Sequence, residues 1–233
     1  MGNYFEYIDK KFKDNKLTED DKRSFLEIVS PIIAHEEFQK RLDNSLYPHH
    51  GKTSLGEHII SDAVMTYKLS KKKKKSDNKK AVLIAMFHDL YELPWQNSGR
   101  KEKRFTNKHG FIHPLEAAIN AVTWYPNYFE NKDDAKIIID GIIHHMYPFP
   151  VRRIDSYDAE LNNINKYNDL DDSIKEIIVN SSNRCKLGRV SFSRSKYLEG
   201  KLVSRADKLT TISSDKLSFS AYKALVTGKN KEL

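Results

Sequence analysis

An all-α fold, in the form of a single helical bundle, is what this sequence predicts. Gly and Pro, which interrupt helices, are sparse at nine and seven of 233 residues. No alternating run rich in Val and Thr indicates a strand, whereas apolar residues recur at helical spacing in several segments. Because 39% of the residues are hydrophobic, the chain is able to bury a core, and we predict one domain over residues 1–233.

The charge of the chain favours an anionic partner without identifying one. Lys and Arg number 40 against 32 Asp and Glu, which gives a formal charge of +8 and a pI near 9.3. Such a surface attracts phosphates, nucleic acid or an anionic membrane, although a lysine-rich composition alone gives the same balance. The run KKKKKSDNKK at 71–80 is interpreted as a solvated connection, and no motif that reads nucleic acid is found. A nucleic-acid partner therefore ranks below a small phosphorylated one.

The cysteine count and the hydropathy of the chain bear on its compartment. Cys185 is the one cysteine, which excludes a disulfide framework and a cysteine-based zinc site. The N-terminus has no apolar segment of signal-peptide length, and no stretch reaches the roughly 18–20 apolar residues of a membrane span. The sequence predicts a soluble, cytoplasmic protein that does not act at a membrane.

Two helices are predicted in the N-terminal third. Residues 18–44 carry apolar side chains at roughly helical spacing, with Thr18 as the N-cap. The segment SLGE at 54–57 has the pattern of a capping box, so a second helix is expected to run from there to about Leu69. This second helix carries His58 in its first turns.

Five further helices are predicted along the chain. Ala81–Phe87 is an uninterrupted apolar run whose polar flanks and content of Ala and Met favour a buried helix over a strand. A polar, basic loop is expected over 95–111. The other helices are expected to begin at His113–Pro114, to run from Asp133–Asp134 to His144–His145, and to occupy about 171–180 and 197–227.

Seven polar residues fall where the apolar pattern predicts burial. They are spread over five helices: His58, His88, Asp89, His113, His144, His145 and Asp207. A buried charge or imidazole is costly unless it is paired or binds a metal, and a single buried His is usually held by a backbone hydrogen bond. Imidazole and carboxylate together suit Mn, Fe, Zn, Ni or Co, and Mg when waters complete its shell. The set therefore predicts a site for one or two divalent ions.

The order of these residues resembles that of the HD superfamily of metal-dependent phosphohydrolases. Its pattern is His, then His-Asp, then Asp, which His58, His88–Asp89 and Asp207 match. Four segments resemble those of bacterial HD phosphohydrolases with two-metal-type histidines: HGKTSLGEH (50–58), HGFIHP (109–114), HMYPFP (145–150) and ADKL (206–209). The resemblance covers about residues 47–210. It implies an all-helical domain with a central metal site, on which the helix at 18–44 and the C-terminal helix pack.

The resemblance also implies how the ligands are shared. A first ion would be held by four residues: His58, His88, Asp89 and Asp207. A second ion would be held by Asp89 as a bridge, together with His113 and His145. His144 is expected either to coordinate as well or to support its neighbour. Metal binding there would activate a water for attack on phosphorus. Residues 88–92 read HDLYE and lack the Lys of the HD-GYP signature HDIGK, so a cyclic-dinucleotide substrate does not follow.

Asp89 is thereby a catalytic candidate, and Glu92 is a second one. Glu92 comes four residues after His88, so both would face the same way on a continuing helix. Some HD enzymes that cleave nucleotides or alarmones carry an acid at this spacing, where it orients or deprotonates the water. The alternative is that Glu92, just before Leu93–Pro94, ends a helix in solvent.

Residues next to the ligand motifs are candidates for contact with phosphate. Arg, Lys and His are suited to this, and the candidates are His50, His109, Arg104, Arg152 and Lys208. The resemblance implies a hydrolase that cleaves a phosphomonoester or phosphodiester bond of a nucleotide or nucleotide-like molecule. The alternatives are a metal-containing nucleotide sensor without turnover and a nuclease. The sequence leaves the substrate, the metal and the oligomeric state open.

Overall fold

Helices carry nearly all of the regular structure, and the all-α prediction is confirmed. A computed structural model describes residues 4–49, 53–92, 106, 108–156 and 164–214. In those ranges the chain forms ten α-helices: α1 (Tyr4–Asp14), α2 (Glu19–Ile33), α3 (Glu36–Leu42), α4 (Leu55–Lys71), α5 (Asn78–Phe87), α6 (His109–Trp124), α7 (Lys132–Ile143), α8 (Ile164–Asn168), α9 (Asp172–Ser182) and α10 (Leu198–Ser214).

A small antiparallel sheet is the one sheet within the described ranges. Its strands are β1 (Val151–Arg152), β2 (Lys186–Leu187) and β3 (Val190–Ser191), in the spatial order β1-β3-β2. β3 pairs with both neighbours, so that Val151 and Lys186 both lie opposite Ser191. Two-residue strands leave no periodic pattern, so the sequence does not predict them.

The N-terminal helical segment is divided, where the sequence predicts one helix over 18–44. Thr18 caps α2 as expected, and Asp21 completes a capping box with it. α2 ends two residues before His35, which has an extended backbone. The ring Nδ1 of His35 accepts a hydrogen bond from Glu37 N at 3.2 Å. His35 is therefore the N-cap of a new helix, α3, and the long helix is broken there.

The helices that carry the predicted site begin within one residue of where the sequence predicts, except α6 and α5, of which α5 begins three residues early, at Asn78. The expected capping box starts α4, and α5 ends at Phe87, directly before the His-Asp pair. α6 begins four residues earlier than predicted, at His109, so Pro114 lies inside it. The carbonyl oxygen of His109 accepts a hydrogen bond from His113 Nδ1 at 3.1 Å. This contact stabilises the additional turn.

The packing of α4, α5, α7 and α10 positions the predicted ligands. α4 packs on α5 and α10, and α7 packs on α5 and α10 as well. Apolar side chains from α1 to α10 form one continuous cluster with these helices. Gly141 allows α7 to approach α5 closely, because a Cβ at this position would lie 2.6 Å from Ile84 Cδ1.

Three further predictions concern the ends and the surface of the bundle. None of the described helices is long and apolar enough to cross a membrane. α10 starts within one residue of its predicted start, and the predicted part beyond residue 214 lies outside the described residues. Of the connection predicted over 71–80, residues 72–77 join α4 to α5 and residues 72–75 are exposed as expected, whereas Lys71 ends α4 and residues 78–80 begin α5.

Candidate metal centre

The His88–Asp89 pair lies inside the protein at the end of α5. Every residue of Ala81–Phe87 is at most 3% exposed, so this part of the helix is apolar and buried on all sides. His88 is fully buried and Asp89 is 7% exposed. The apolar run thus places an imidazole and a carboxylate where bulk water does not satisfy them.

A first cluster forms around the Nε2 atoms of His58 and His88. Asp62 Oδ2 lies 3.4 Å from His58 Nε2 and 3.3 Å from His88 Nε2. Asp207 Oδ1 lies 3.8 Å from His58 Nε2. One potential ligand atom from each of these four residues lies within 4.8 Å of the others, and all four residues are buried. α4, α10 and the end of α5 supply them.

A second cluster is centred on Asp89. Its Oδ1 lies 3.3 Å from His113 Nε2 and 3.5 Å from His145 Nε2. Its Oδ2 lies 3.8 Å from His58 Nε2 and 3.7 Å from His88 Nε2. The two carboxylate oxygens of Asp89 therefore face different clusters, which is the position that a bridging ligand would need.

Backbone carbonyls fix the orientation of three histidine rings. The Nδ1 atom of each lies 2.6–3.1 Å from the carbonyl oxygen three or four residues earlier, in His88, His113 and His145. A carbonyl oxygen only accepts, so each Nδ1 carries a proton. Each Nε2 is then directed toward the clusters, and its lone pair is the one that a metal would use.

Several buried polar atoms of the centre have no hydrogen-bond partner within the described residues. These atoms are Asp62 Oδ2, His88 Nε2, Asp89 Oδ1 and Asp207 Oδ2. In the same part of the chain, no Lys or Arg forms an ion pair with the three carboxylates. His113 Nε2 and His145 Nε2 also lie 3.1 Å apart, so two lone pairs face each other when both rings are neutral. Buried polar atoms are nearly always paired, and a cation would satisfy all of these.

The donor set fits a divalent ion. Imidazole nitrogen and carboxylate oxygen are ligands that Mn, Fe, Co, Ni and Zn accept. Two ligand atoms about 2.1 Å from one ion lie roughly 3.0 Å apart at a right angle and about 4.2 Å apart when opposite. The nitrogen–oxygen separations of 3.3–3.8 Å fall between these values. The buried His and Asp groups are thus able to hold a metal, and the donor types do not select among these ions.

The carboxylates make the centre attractive to positive charge. Burial opposes the charged form of His88, but the carboxylates of Asp89, Asp62 and Asp207 raise the pKa of His88 to about 10. Burial raises the pKa of Asp207, and repulsion by Asp62 adds to this effect. Acids so close together in the interior require a proton or a metal ion among them.

Asp62 belongs to the centre, although it is not among the ligands predicted from the sequence. It comes one helical turn after His58 on α4 and is fully buried. Its Oδ1 accepts a hydrogen bond from the Thr210 hydroxyl of α10, and Thr211 donates to Asp207 Oδ1 at 3.4 Å. The spacing in HIISD is the signal that predicts it, because residues i and i+4 share one helix face.

The backbone after Asp89 is held by three side chains from distant parts of the chain. The carbonyl oxygens of residues 90–92 each accept a hydrogen bond: in order, from Asn120 Nδ2 at 2.7 Å, Arg41 Nη2 at 2.5 Å and Tyr47 Oη at 2.6 Å. These donors are 30 to 50 residues away in sequence, so no local pattern predicts them. The three contacts fix the chain directly after the ligand pair.

His144 is separated from the centre, although its neighbour His145 belongs to it. His144 Nε2 lies 3.2 Å from Ser181 O, and its Nδ1 lies 3.2 Å from Ser193 Oγ. Burial lowers the pKa of His144 to about 4. Six of the seven predicted ligands come together without it. The ring nitrogens of His144 contact Ser181 and Ser193, and both roles expected for His144 stay predictions.

Glu92 does not follow His88 on a continuing helix, so the expectation that both side chains face the same way on one helix is wrong. α5 ends at Phe87, so the two side chains are not related by helical spacing. Lys166 Nζ of α8 lies 3.0 Å from both carboxylate oxygens of Glu92 and 3.3 Å from Asn120 Oδ1. The carboxylate is thus in an ion pair, and its catalytic role stays a prediction.

The predicted substrate contacts differ in their outcomes. His50 and Arg104 lie outside the described residues. Arg152 is fully buried, and it donates to Ser156 Oγ at 3.0 Å and to Thr106 Oγ1 at 3.2 Å. Its guanidinium also donates to the carbonyl oxygen of Ser156, so Arg152 holds the backbone near β1, and its contact with substrate stays a prediction.

Lys208 and His109 lie beside the centre. The ammonium of Lys208 donates to Ser204 O at 2.5 Å and to Ser204 Oγ at 2.8 Å. The ring of His109 stacks on His113 with centroids 4.8 Å apart, and it meets Tyr91 edge-on at 4.6 Å. Both side chains are held by protein contacts, and their contact with a substrate stays a prediction.

Comparison with known proteins leaves the family of the chain open. No protein-family model, no curated protein and no solved structure matches it. The HD resemblance therefore depends on the sequence motifs. The centre contains His58, His113, His145 and Asp207 from the four segments.

Proposed function

We propose that the protein is an HD-type metal-dependent phosphohydrolase. Its substrate would be a nucleotide or nucleotide-like molecule with a phosphomonoester or phosphodiester bond. The observation that supports this is the convergence on one buried centre of His58, His88, Asp89 and Asp207. Apart from the adjacent His88 and Asp89, these residues are far apart in the sequence, and they follow the order of the resemblance. A purely structural cluster would not need unsatisfied oxygens and nitrogens that face one another.

One or two divalent ions would be held by the histidines and aspartates of the two clusters. When bound, such ions lower the pKa of a coordinated water and neutralise charge on phosphoryl oxygens. Asp89 lies between the clusters, so its carboxylate is positioned to hold both ions. The carbonyl-bound Nδ1 atoms keep the rings of His88, His113 and His145 in place for this role.

Two further residues of the chain would act on protons and on phosphate charge. Glu92 is the candidate for moving a proton at the reacting oxygen, and its ion pair with Lys166 ties it to α8. Lys208, directly after Asp207, is the candidate for contact with phosphate. The formal charge of +8 would help to attract an anionic substrate.

The test is turnover of a panel of phosphomonoesters and phosphodiesters, nucleotides included, by protein loaded in turn with Mn(II), Zn(II), Co(II) and Mg(II). We expect hydrolysis with at least one metal, reduced to background in His88→Ala and Asp89→Asn. His35→Ala is the matched control, because His35 caps α3 and is not part of the centre. Its activity is expected to be unchanged.

Other outcomes of the same test would contradict the proposal. Hydrolysis that persists in His88→Ala would place the activity elsewhere. Tight nucleotide binding without turnover would favour the sensor alternative. Cleavage of DNA or RNA with no cleavage of mononucleotides would favour a nuclease.

A further inference from the structure

We propose that Asp62 is a further ligand of the first metal ion and that it biases the first cluster toward Mn(II) relative to Zn(II). This inference depends on the metal binding of the proposed function. Asp62 is not one of the positions that the resemblance matches. Its spacing from His58 on α4 and its place in the folded chain point to it.

The position of Asp62 is that of a ligand. The residue is fully buried, and its Oδ2 makes the shortest nitrogen–oxygen approaches of the first cluster, 3.3 and 3.4 Å to the Nε2 atoms of His88 and His58. By comparison, Asp207 and Asp89 each lie 3.8 Å from His58 Nε2. Asp62 Oδ2 also has no hydrogen-bond partner in the described part of the chain.

The second oxygen of Asp62 is occupied by α10. The hydroxyl of Thr210 donates to Asp62 Oδ1, and Thr210 comes three residues after Asp207 on the same helix. A hydrogen bond to a carboxylate is strong and fixes the carboxylate plane. The hydroxyl thus keeps Oδ2 turned toward the imidazoles, as groups behind a metal ligand commonly do.

A role as a simple counter-ion to a charged histidine accounts less well for this geometry. A counter-ion would pair with the one imidazole it neutralises. Asp62 Oδ2 is instead shared between two imidazoles, 3.3 Å from His88 Nε2 and 3.4 Å from His58 Nε2. The buried Asp207 also adds a second negative charge to the same pair of imidazoles. An ion with charge +2 balances two such carboxylates.

The number and type of donors give the selectivity. With Asp89 Oδ2, the first cluster offers two nitrogens and three carboxylate oxygens: from His58, His88, Asp62, Asp89 and Asp207. Five donors rich in oxygen suit Mn(II), whereas Zn(II) is satisfied by four ligands. Removal of one carboxylate should therefore weaken Mn(II) binding more than Zn(II) binding.

The experiment measures metal binding by the full chain after chelator treatment, without an activity assay. Mn(II) is followed by loss of the electron paramagnetic resonance signal of the free ion, and Zn(II) by competition with a chelating dye. We expect Asp62→Asn to weaken Mn(II) binding at least about tenfold more than Zn(II) binding. Thr210→Val, which removes only the orienting hydroxyl, should weaken Mn(II) binding by about tenfold.

Thr66→Val is the matched control. Thr66 is one turn after Asp62 on α4, is fully buried, and its hydroxyl has no hydrogen-bond partner among the described residues. Its Mn(II) and Zn(II) affinities should equal those of the wild type.

The outcomes separate this inference from the proposed function. If neither wild-type protein nor His88→Ala binds metal, the metal function fails and the inference with it. If the wild type binds and Asp62→Asn binds Mn(II) equally well, or loses both metals equally, the inference alone is overturned. Should Asp62→Asn not fold, Thr210→Val decides, and wild-type Mn(II) affinity in that variant overturns the inference.

Discussion

Asp140 and the three acids of the candidate metal centre are all buried, and they differ in how their oxygens are satisfied. Asp140 of α7 is 3% exposed. It accepts four hydrogen bonds of 2.5–3.1 Å, from Ser181 Oγ, Arg184 Nη2, Ser195 Oγ and Lys196 N. In the candidate metal centre, Asp62, Asp89 and Asp207 are equally buried, yet each retains an oxygen with no hydrogen-bond partner in the described ranges.

This difference shows that burial alone does not identify a functional carboxylate. Asp140 is buried and fully paired, which is the expected state of a structural acid. The unsatisfied oxygens of the centre are what indicate a ligand. The adjacent residues His144 and His145 follow the same division, because the first contacts Ser181 and Ser193 and the second faces Asp89.

The largest loss of unfolding free energy is expected from Asp140→Ala. It leaves Arg184, whose side chain is 16% exposed, and several buried donors without their acceptor. Loss of one partner of a buried ion pair typically costs about 3–5 kcal/mol of unfolding free energy. Urea unfolding of wild type and variant in the presence of a chelator measures this loss.

Asp207→Asn is the comparison variant in the same experiment. It removes a carboxylate that no Lys or Arg pairs with among the described residues, so stability without metal should be unchanged or higher. Equal losses in the two variants would contradict the distinction between paired and unsatisfied acids.

Metal-dependent stabilisation should separate His145 from His144. A divalent ion at about 100 times its dissociation constant raises the unfolding free energy by about 2.7 kcal/mol. We expect this gain to be abolished in His88→Ala, reduced in His145→Ala and retained in His144→Ala. The last variant should instead lose about 1–3 kcal/mol with or without metal, because its hydrogen bonds are lost. Thermal unfolding with and without metal tests this, and loss of the gain in His144→Ala would make that residue a ligand.

A smaller loss of unfolding free energy is expected from Asn120, which holds the backbone directly after His88–Asp89. Asn120→Leu leaves the carbonyl oxygen of Leu90 without its donor and should cost about 1–3 kcal/mol. If this contact positions Asp89, metal affinity should also fall, by up to about tenfold. Thr123→Val on the same helix is the control, since its hydroxyl donates to Ile119 O one turn earlier and not to the backbone after Asp89 within the described residues. Unchanged metal affinity in Asn120→Leu would limit the contact to stability.

The smallest change in unfolding free energy should come from Asp21, a buried acid whose partner Lys71 is half exposed. Burial opposes ionisation of Asp21, but hydrogen bonds from Lys71 and Thr18 lower the pKa of this carboxyl from 3.8 to about 2. The ionised form therefore stabilises the folded state above about pH 4, and this contribution is lost as the pH falls through about 2. Because Lys71 is half exposed, Asp21→Asn should cost at most about 1 kcal/mol at pH 7.

Unfolding measured between pH 2 and pH 7 tests this prediction. The difference between wild type and Asp21→Asn should disappear at the acid end. Asp20→Asn is the control, since Asp20 is 87% exposed in the first turn of the same helix. A constant difference over the whole range would show that the charge of Asp21 is not responsible.

Local features of this protein could be predicted from its sequence because neighbouring residues produce them. The capping box at Ser54, the buried helix Ala81–Phe87 and the all-α class depend on contacts within a turn or on apolar periodicity. The same patterns indicated which polar residues are buried, and so which ones to consider as ligands. The predicted helix boundaries are less accurate: a break at His35 divides the first predicted helix, and α6 begins early, at His109.

The tertiary structure decided which of these residues meet. His144 contacts Ser181, whereas its neighbour His145 lies in the centre. Asp62 lies in the centre, where Thr210 of α10 donates to it, and Glu92 pairs with Lys166. It also supplied the distant donors that hold residues 90–92. The physical reason is that periodicity and capping fix which side of a helix a residue occupies. The partner on that side is set by how helices far apart in the sequence pack, as α4, α5 and α10 do here.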